Sequence, residues 1–328
     1  MQDDYLRVRE TVACFAGAPA CAVAVTGADA EAWLNAAFAK DVEAIVPLKG
    51  AIGLFLEHSG DVFAMASVFR KEDDGFLVFS DRRELRDRLI ADADGDVAVT
   101  DIAATHGLVN VIGPKAMELM TEIAGEDIVS IPYMGFEESV DGDYVVFRQS
   151  FTGEFEFRLM APHDGFDALY SRVLEAAREM GGGEIDPAII DLVSLEMRFI
   201  KDADVIGRVT ALEAGLHWMI DFRKEDFVGR DAVLREKSDL KRKSLIVRLD
   251  EAGVAEAGAD LMIEARPVGK LVRVVYSPRL ETDIAFAFVE RDIGWVGVNY
   301  AVRSGEGRTT LASAVSSPLF LSRSVLSD

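Results

Sequence analysis

Cysteine is nearly absent: Cys14 and Cys21 are the only two in 328 residues. Neither belongs to a CxxC or Cys/His spacing, which excludes a cysteine-built metal site. Both read as reduced structural thiols of a cytoplasmic protein. Positive charge is also scarce, with 35 Lys and Arg against 57 Asp and Glu and a formal net charge of −22. Such a chain repels nucleic acid and anionic membrane surfaces, whose recognition needs clustered Lys and Arg. No apolar run approaches the roughly 20 residues that span a bilayer. The N-terminal MQDDYLRVRE has no apolar core of a secretory signal. There is no G-x-S-x-G, P-loop or Rossmann glycine signature, and no His/Cys/carboxylate cluster with metal spacing. The expectation is a small-molecule substrate, without nucleic acid, membrane or metal.

What is present is a well-patterned globular chain. Half of its residues are hydrophobic, ample for a core divided over two or three subdomains. Tyr5 to Cys14 has helical apolar spacing. Ala22 to Thr26 reads as a strand, followed by a helix that Asp29 opens. Ala51 to Glu57 and Val62 to Phe69 are apolar strands around His58-Ser59-Gly60-Asp61, a hairpin signal. Asp81 opens a charged helix whose Arg, Asp and Glu repeats suit a solvated face. Asp164 to Met180 is an amphipathic helix ended by three glycines. Beyond a basic polar run at Asp239 to Lys243, short strands separated by turn signals suggest a small antiparallel barrel.

The most informative stretch is Asp191 to Leu234. It holds Leu195-Glu196 in a short helix, then Glu213-Ala214-Gly215-Leu216-His217-Trp218, then Asp226-Phe227-Val228-Gly229-Arg230 opening a second helix. The pattern E-A-G-L-x-W followed by D-F-x-G-R resembles the central signature of the aminomethyltransferases, the glycine-cleavage T-proteins and their tetrahydrofolate-dependent demethylase relatives. Further likeness runs from Tyr5 to about Ser317, through F-T-G-E at Phe151 to Glu154 and S-P-R-L at Ser277 to Leu280. The resemblance implies an α+β, multi-subdomain folate-binding fold with a C-terminal antiparallel β-barrel. The expected division is a folate-binding region at 1–240 and a barrel at 241–328. A family segment that precedes the first helix and helps close the pocket has no counterpart before Tyr5. The resemblance therefore implies a pocket open on that side, or closed by a partner chain as in a homo-oligomer.

The resemblance also implies three polar features around tetrahydrofolate, and all three differ here. The paired strand aspartates after the Ser-Gly hairpin become Ala64 and Met65. The later glutamate of T-G-E-x-G-Y-E, which accepts from the pterin, becomes Arg158, which has five donors and no acceptor; a shifted alignment brings in Glu156 instead. The arginine before Leu-Glu becomes Ser194, with Arg198 one helical turn on; Glu196 is retained and needs a buried partner. The x position of the family's G-L-x-W strand is His217, a residue type suited to acid–base work. Trp218 follows it. Tyr133 and Phe136 match an aromatic segment beside the cofactor; Tyr133 is the second acid–base candidate, and an aromatic wall is the other reading.

Three functions remain open on the sequence. The first is transfer of a methyl or aminomethyl carbon from a small molecule to tetrahydrofolate. The second is a folate-independent lyase, hydrolase or isomerase step on an acidic, perhaps aromatic, substrate held by Arg158 and Arg198. The third is a non-catalytic binding role. Iron–sulfur-assembly relatives carry K-G-C-Y-x-G-Q, but Lys224 to Arg230 contains no cysteine.

Overall fold

The computed structural model describes residues 1–17, 19–72, 75–305 and 307–326. Strands β1 (Ala13–Gly17), β2 (Cys21–Thr26), β3 (Lys49–Leu56), β4 (Val62–Arg70), β5 (Phe76–Ser80), β6 (Ala98–Asp101), β7 (His106–Ile112), β8 (Gly135–Glu138), β9 (Val145–Arg148), β10 (Glu156–Pro162) and β11 (Gly183–Glu184) form one sheet. Its order is β11-β1-β7-β10-β9-β8-β3-β4-β5-β2-β6. Helices α1 (Gln2–Glu10), α2 (Ala30–Ala37), α3 (Arg83–Asp92), α4 (Ala116–Ala124), α5 (His163–Glu179), α6 (Ile189–Glu196), α7 (Asp202–Val205) and α8 (Arg230–Lys237) flank it. Strands β12 (Arg242–Leu249), β13 (Asp260–Ile263), β14 (Arg266–Ser277), β15 (Thr282–Glu290), β16 (Asn299–Arg303) and β17 (Thr309–Val315) close a separate antiparallel barrel, and α9 (Arg323–Leu326) follows. This is the α+β architecture with a C-terminal barrel that the sequence implied.

The elements follow from their residues. β3 and β4 meet around the turn at His58 to Asp61, where Gly60 takes φ +89° and Ser59 Oγ donates to Asp61 Oδ2 at 2.7 Å. A side chain at Gly60 would be strained in this left-handed conformation. α3 buries Leu85 and Leu89 and pairs Arg88 with Asp92 across one turn. In the barrel, Ala285, Ala287 and Val289 of β15 fill the interior, while Ile284, Phe286 and Phe288 join the core of the sheet region. β15 is thus buried on both faces, and the sheet region and barrel share hydrophobic surface.

Two expectations change. The N-terminal helix ends at Glu10, and Ala13 to Gly17 forms a strand between β7 and β11. The short apolar run around Cys14 fits either a buried helix end or a buried strand, and pairing on both sides settles it as strand. His217 and Trp218 lie in a one-turn 3₁₀ helix, Leu216–Met219, not a strand. Gly215, at φ +77°, turns the chain, so that Leu216 and Met219, three residues apart, are both buried.

Candidate active site

Where β1, β4, β5, β7 and β10 meet the segment from α6 into α7 lies a cavity of about 470 Å³, within the roughly 300–1,000 Å³ of small-molecule sites. Strand alternation decides what it displays. Met65 and Ser67 of β4 line it, while Ala64 points into the core on the other side with Phe38 and Leu85. Glu156 and Arg158, two residues apart on β10, both line it. They stand opposite Ile112 and Asn110 of β7, which line it too. Phe79, Phe151 and Phe199 give aromatic surface; Ser194, Lys201 and Asp202 approach from the helical side.

Asp202 is the group that sequence reasoning missed. It opens α7, and its Oδ1 accepts the backbone N–H of Met65 at 2.8 Å. Burial raises its pKa to about 7, against the lowering effect of that hydrogen bond. A half-buried carboxyl with a raised pKa therefore sits beside the strand position where two aspartates were expected. Nothing in the local sequence separates it from an ordinary helix-start aspartate; the strand that desolvates it is 137 residues away.

Glu156 is buried. Its Oε2 accepts from the Phe151 N–H at 3.0 Å and the Thr152 hydroxyl at 3.4 Å. Burial raises its pKa, while Arg158 and these donors oppose the rise. Arg158 Nη2 lies 3.7 Å from Glu156 Oε1, and the guanidinium lies 5.2 Å from the Phe151 ring centre. The two candidates weighed as alternatives on the sequence thus act as neighbours on one face. Lys201 pairs with Asp191 and has a lowered pKa, chiefly from burial.

The remaining sequence candidates are dispersed. Ser194 lines the cavity, its hydroxyl donating to the Asp191 carbonyl at 3.3 Å. Glu196, two residues on, faces away and is fully buried. It accepts from Tyr5 Oη at 3.0 Å, Arg9 Nη2 at 2.8 Å and Ser277 Oγ at 2.7 Å. That network joins α1, α6 and β14 and supplies the partner Glu196 was expected to need. Arg198, His217 and Trp218 line a separate recess of about 220 Å³, and Arg198 donates to Ser244. Trp218 is 45% exposed and packs edge-on against Phe199, which both cavities share. Tyr133, 54% exposed, lines an adjoining recess that shares Phe151, Glu156 and Phe199 with the central cavity. Partial desolvation raises its pKa, with Glu156 adding to the rise and Arg158 opposing it. Phe136 stacks on Phe147 at 5.3 Å in the core and lines none of these three.

Among the described residues no three His, Cys, Asp or Glu side chains group as a metal site, and no helix is long and apolar enough to cross a membrane. Cys14 and Cys21 are buried free thiols, pushed up to about 12 by desolvation.

Comparison with known proteins bears on this geometry. The GCVT N-terminal domain matches residues 1–224, and the glycine cleavage T-protein C-terminal barrel domain matches residues 242–320. An aminomethyltransferase of Alkaliphilus oremlandii is 28% identical over 236 residues, covering 70% of this chain but 63% of that relative's length. One from Thermotoga maritima is 23% identical over 325 residues, covering 97% of this chain and 89% of the relative. Among solved structures, the glycine cleavage system aminomethyltransferase T from Bartonella henselae superposes with a TM-score of 0.86 at 19% identity, covering 97% of this chain and 89% of that one. At that identity the likeness speaks for the fold.

Proposed function

The chain belongs to the glycine-cleavage T-protein family, and from that premise we propose that it moves a methyl or aminomethyl carbon from a small molecule to tetrahydrofolate in the central cavity. The observation that carries the reading is Asp202, a cavity-lining carboxyl with a pKa near 7. It stands against Met65, one of the two positions where the family's aspartates are replaced.

The residues present fit a reduced pterin. Phe79, Phe151 and Phe199 offer faces and edges for a flat ring. Glu156, when ionised, is an acceptor for a donor-rich ring edge. Tetrahydrofolate, when bound, supplies ring nitrogens that take up the one-carbon unit. The protein's part is to hold and exclude. The aromatic and aliphatic walls keep water from the reacting carbon, and juxtaposition contributes through effective concentration. Asp202 is suited to give or take a proton at neutral pH, because neither of its forms is rare there. Glu156, held by Phe151 N–H and Thr152, keeps a fixed orientation.

The test is titration with tetrahydrofolate, followed through tryptophan fluorescence. Trp218 touches Phe199 of the cavity wall, so occupancy should alter its emission. Saturable binding in the micromolar range is expected; no binding at high micromolar folate overturns the proposal. A second reading, a folate-independent lyase, hydrolase or isomerase step on an acidic substrate, draws support from Arg158 in the cavity wall. Turnover of such a substrate without folate would favour it.

A further inference from the structure

Arg158 is the most under-used cation of the central cavity. Its side chain is 20% exposed, and among the described residues it donates no hydrogen bond. Its one ion pair among the described residues, at 3.7 Å from Glu156, is longer than the roughly 2.7–2.9 Å of a charge-assisted hydrogen bond. Its Nε is fully buried without a partner. A buried donor left unmade is unfavourable, so a guanidinium kept in this state calls for an acceptor. Asn110 stands directly opposite on β7, in the same cavity wall. Facing residues of an antiparallel pair project to the same side. Asn110 is buried, and its amide likewise makes no hydrogen bond to the described residues. Phe15 follows in the same cross-strand row, and it too lines the cavity.

The geometry points to a carboxylate subsite: Arg158 and Asn110 together receive a carboxylate of the ligand, against the Phe15 and Phe151 rings. This rests on the reading that the cavity is the reaction site, and it adds the ligand's charge and anchoring group. A planar monoanion fits the fork of one arginine, which pairs with two oxygens at once. A dianion such as phosphate would face Glu156, Asp202, Asp81 and Glu84 in the same cavity, where Arg82 already pairs with Glu84 and Lys201 with Asp191. The carboxylate can come from a separate small substrate that shares the cavity with a ring on Glu156, or from the glutamyl tail of a folate bound the other way round, with its ring away from Glu156; the binding experiment distinguishes these.

The experiment measures affinity by calorimetry for acids and their neutral amides: acetate and acetamide, N-methylglycine and N-methylglycinamide, benzoate and benzamide. Tetrahydrofolate binding is measured on the same samples. The wild-type protein is expected to prefer at least one acid over its amide by about tenfold or more. Arg158→Met should abolish that preference, Arg158→Lys should keep part of it, and Asn110→Ala should reduce it. If no acid is preferred over its amide, or if the preference survives Arg158→Met, the subsite does not exist. Tetrahydrofolate binding with no acid preference defeats this inference alone. Acid preference without tetrahydrofolate binding defeats the folate reading alone. Should tetrahydrofolate displace the acid while tetrahydrobiopterin, which lacks carboxylates, does not, the tail is the source. Simultaneous binding of acid and folate identifies a separate substrate. Circular dichroism and the unfolding midpoint of each variant separate a lost subsite from a lost fold.

Discussion

Two groups of buried charge meet at α6, and helix geometry sends them opposite ways. Ser194 and Glu196 are two residues apart, hence about 200° apart around the axis. Ser194 faces the cavity with Asp202, Glu156 and Arg158. Glu196 faces Arg9, which donates four hydrogen bonds, to Thr152 and Val193 carbonyls and to the Glu154 and Glu196 carboxylates. Glu154 in turn accepts from the Ser324 backbone and hydroxyl. The first group is thinly bonded and opens onto space; in the second both carboxylates are bonded several times over, and Arg9 Nε is the one buried polar atom of the group without a partner among the described residues. Buried charge with its partners in place fixes structure. Buried charge without them marks where a ligand is to be received.

The largest effect should come from breaking the second group. Arg9→Met strands two buried carboxylates and should destabilise the fold by about 3–5 kcal/mol, read as a lower urea midpoint. A shift below about 1 kcal/mol would erase the contrast. Next, Asp202→Asn should lower turnover by ~10²–10⁴-fold and remove a limb near pH 7 from the rate profile. Its effect on stability has the opposite sign. Asp202 has a folded pKa, about 7, above its unfolded value, so the native state binds the extra proton between these values. The stability it contributes is present at acid pH and lost as pH rises through about 7. The asparagine variant should therefore be at least as stable as the parent above pH 7, and its stability should fall less between pH 5 and 8. Lower stability at pH 8 would mean that the carboxylate is structural, like Glu196.

Glu156→Gln should weaken tetrahydrofolate binding by about tenfold, with little change in the unfolding midpoint. A large midpoint shift instead would move Glu156 into the second group. The smallest effect is expected at His217. It lies in the recess beside Arg198 and Trp218, outside the central cavity, so His217→Asn should change turnover less than about threefold. A hundredfold loss would shift the acid–base chemistry to that recess.

Legibility in the sequence differed between these groups for a physical reason. Local patterns carried the hairpin around Gly60, the amphipathic α5 and the alternation that builds the barrel, because turn chemistry and periodicity act over a few residues. The signature at Asp191 to Leu234 carried the family. Glu196 was recognised as needing a buried partner, but Tyr5, Arg9 and Ser277 come from 81 to 191 residues away. Glu156 and Arg158 entered as rival alignments, although a period of two puts them on one face.

The sequence by itself determined the fold class, the barrel and the family, since each depends on local pattern or residue identity. Tertiary structure alone decided that Asp202 stands beside Met65, that Ala64 and Phe136 turn into the core, and that His217 belongs to another recess. Burial and proton affinity depend on what surrounds a group in space, and for Asp202 the decisive neighbour is a strand 137 residues earlier in the chain.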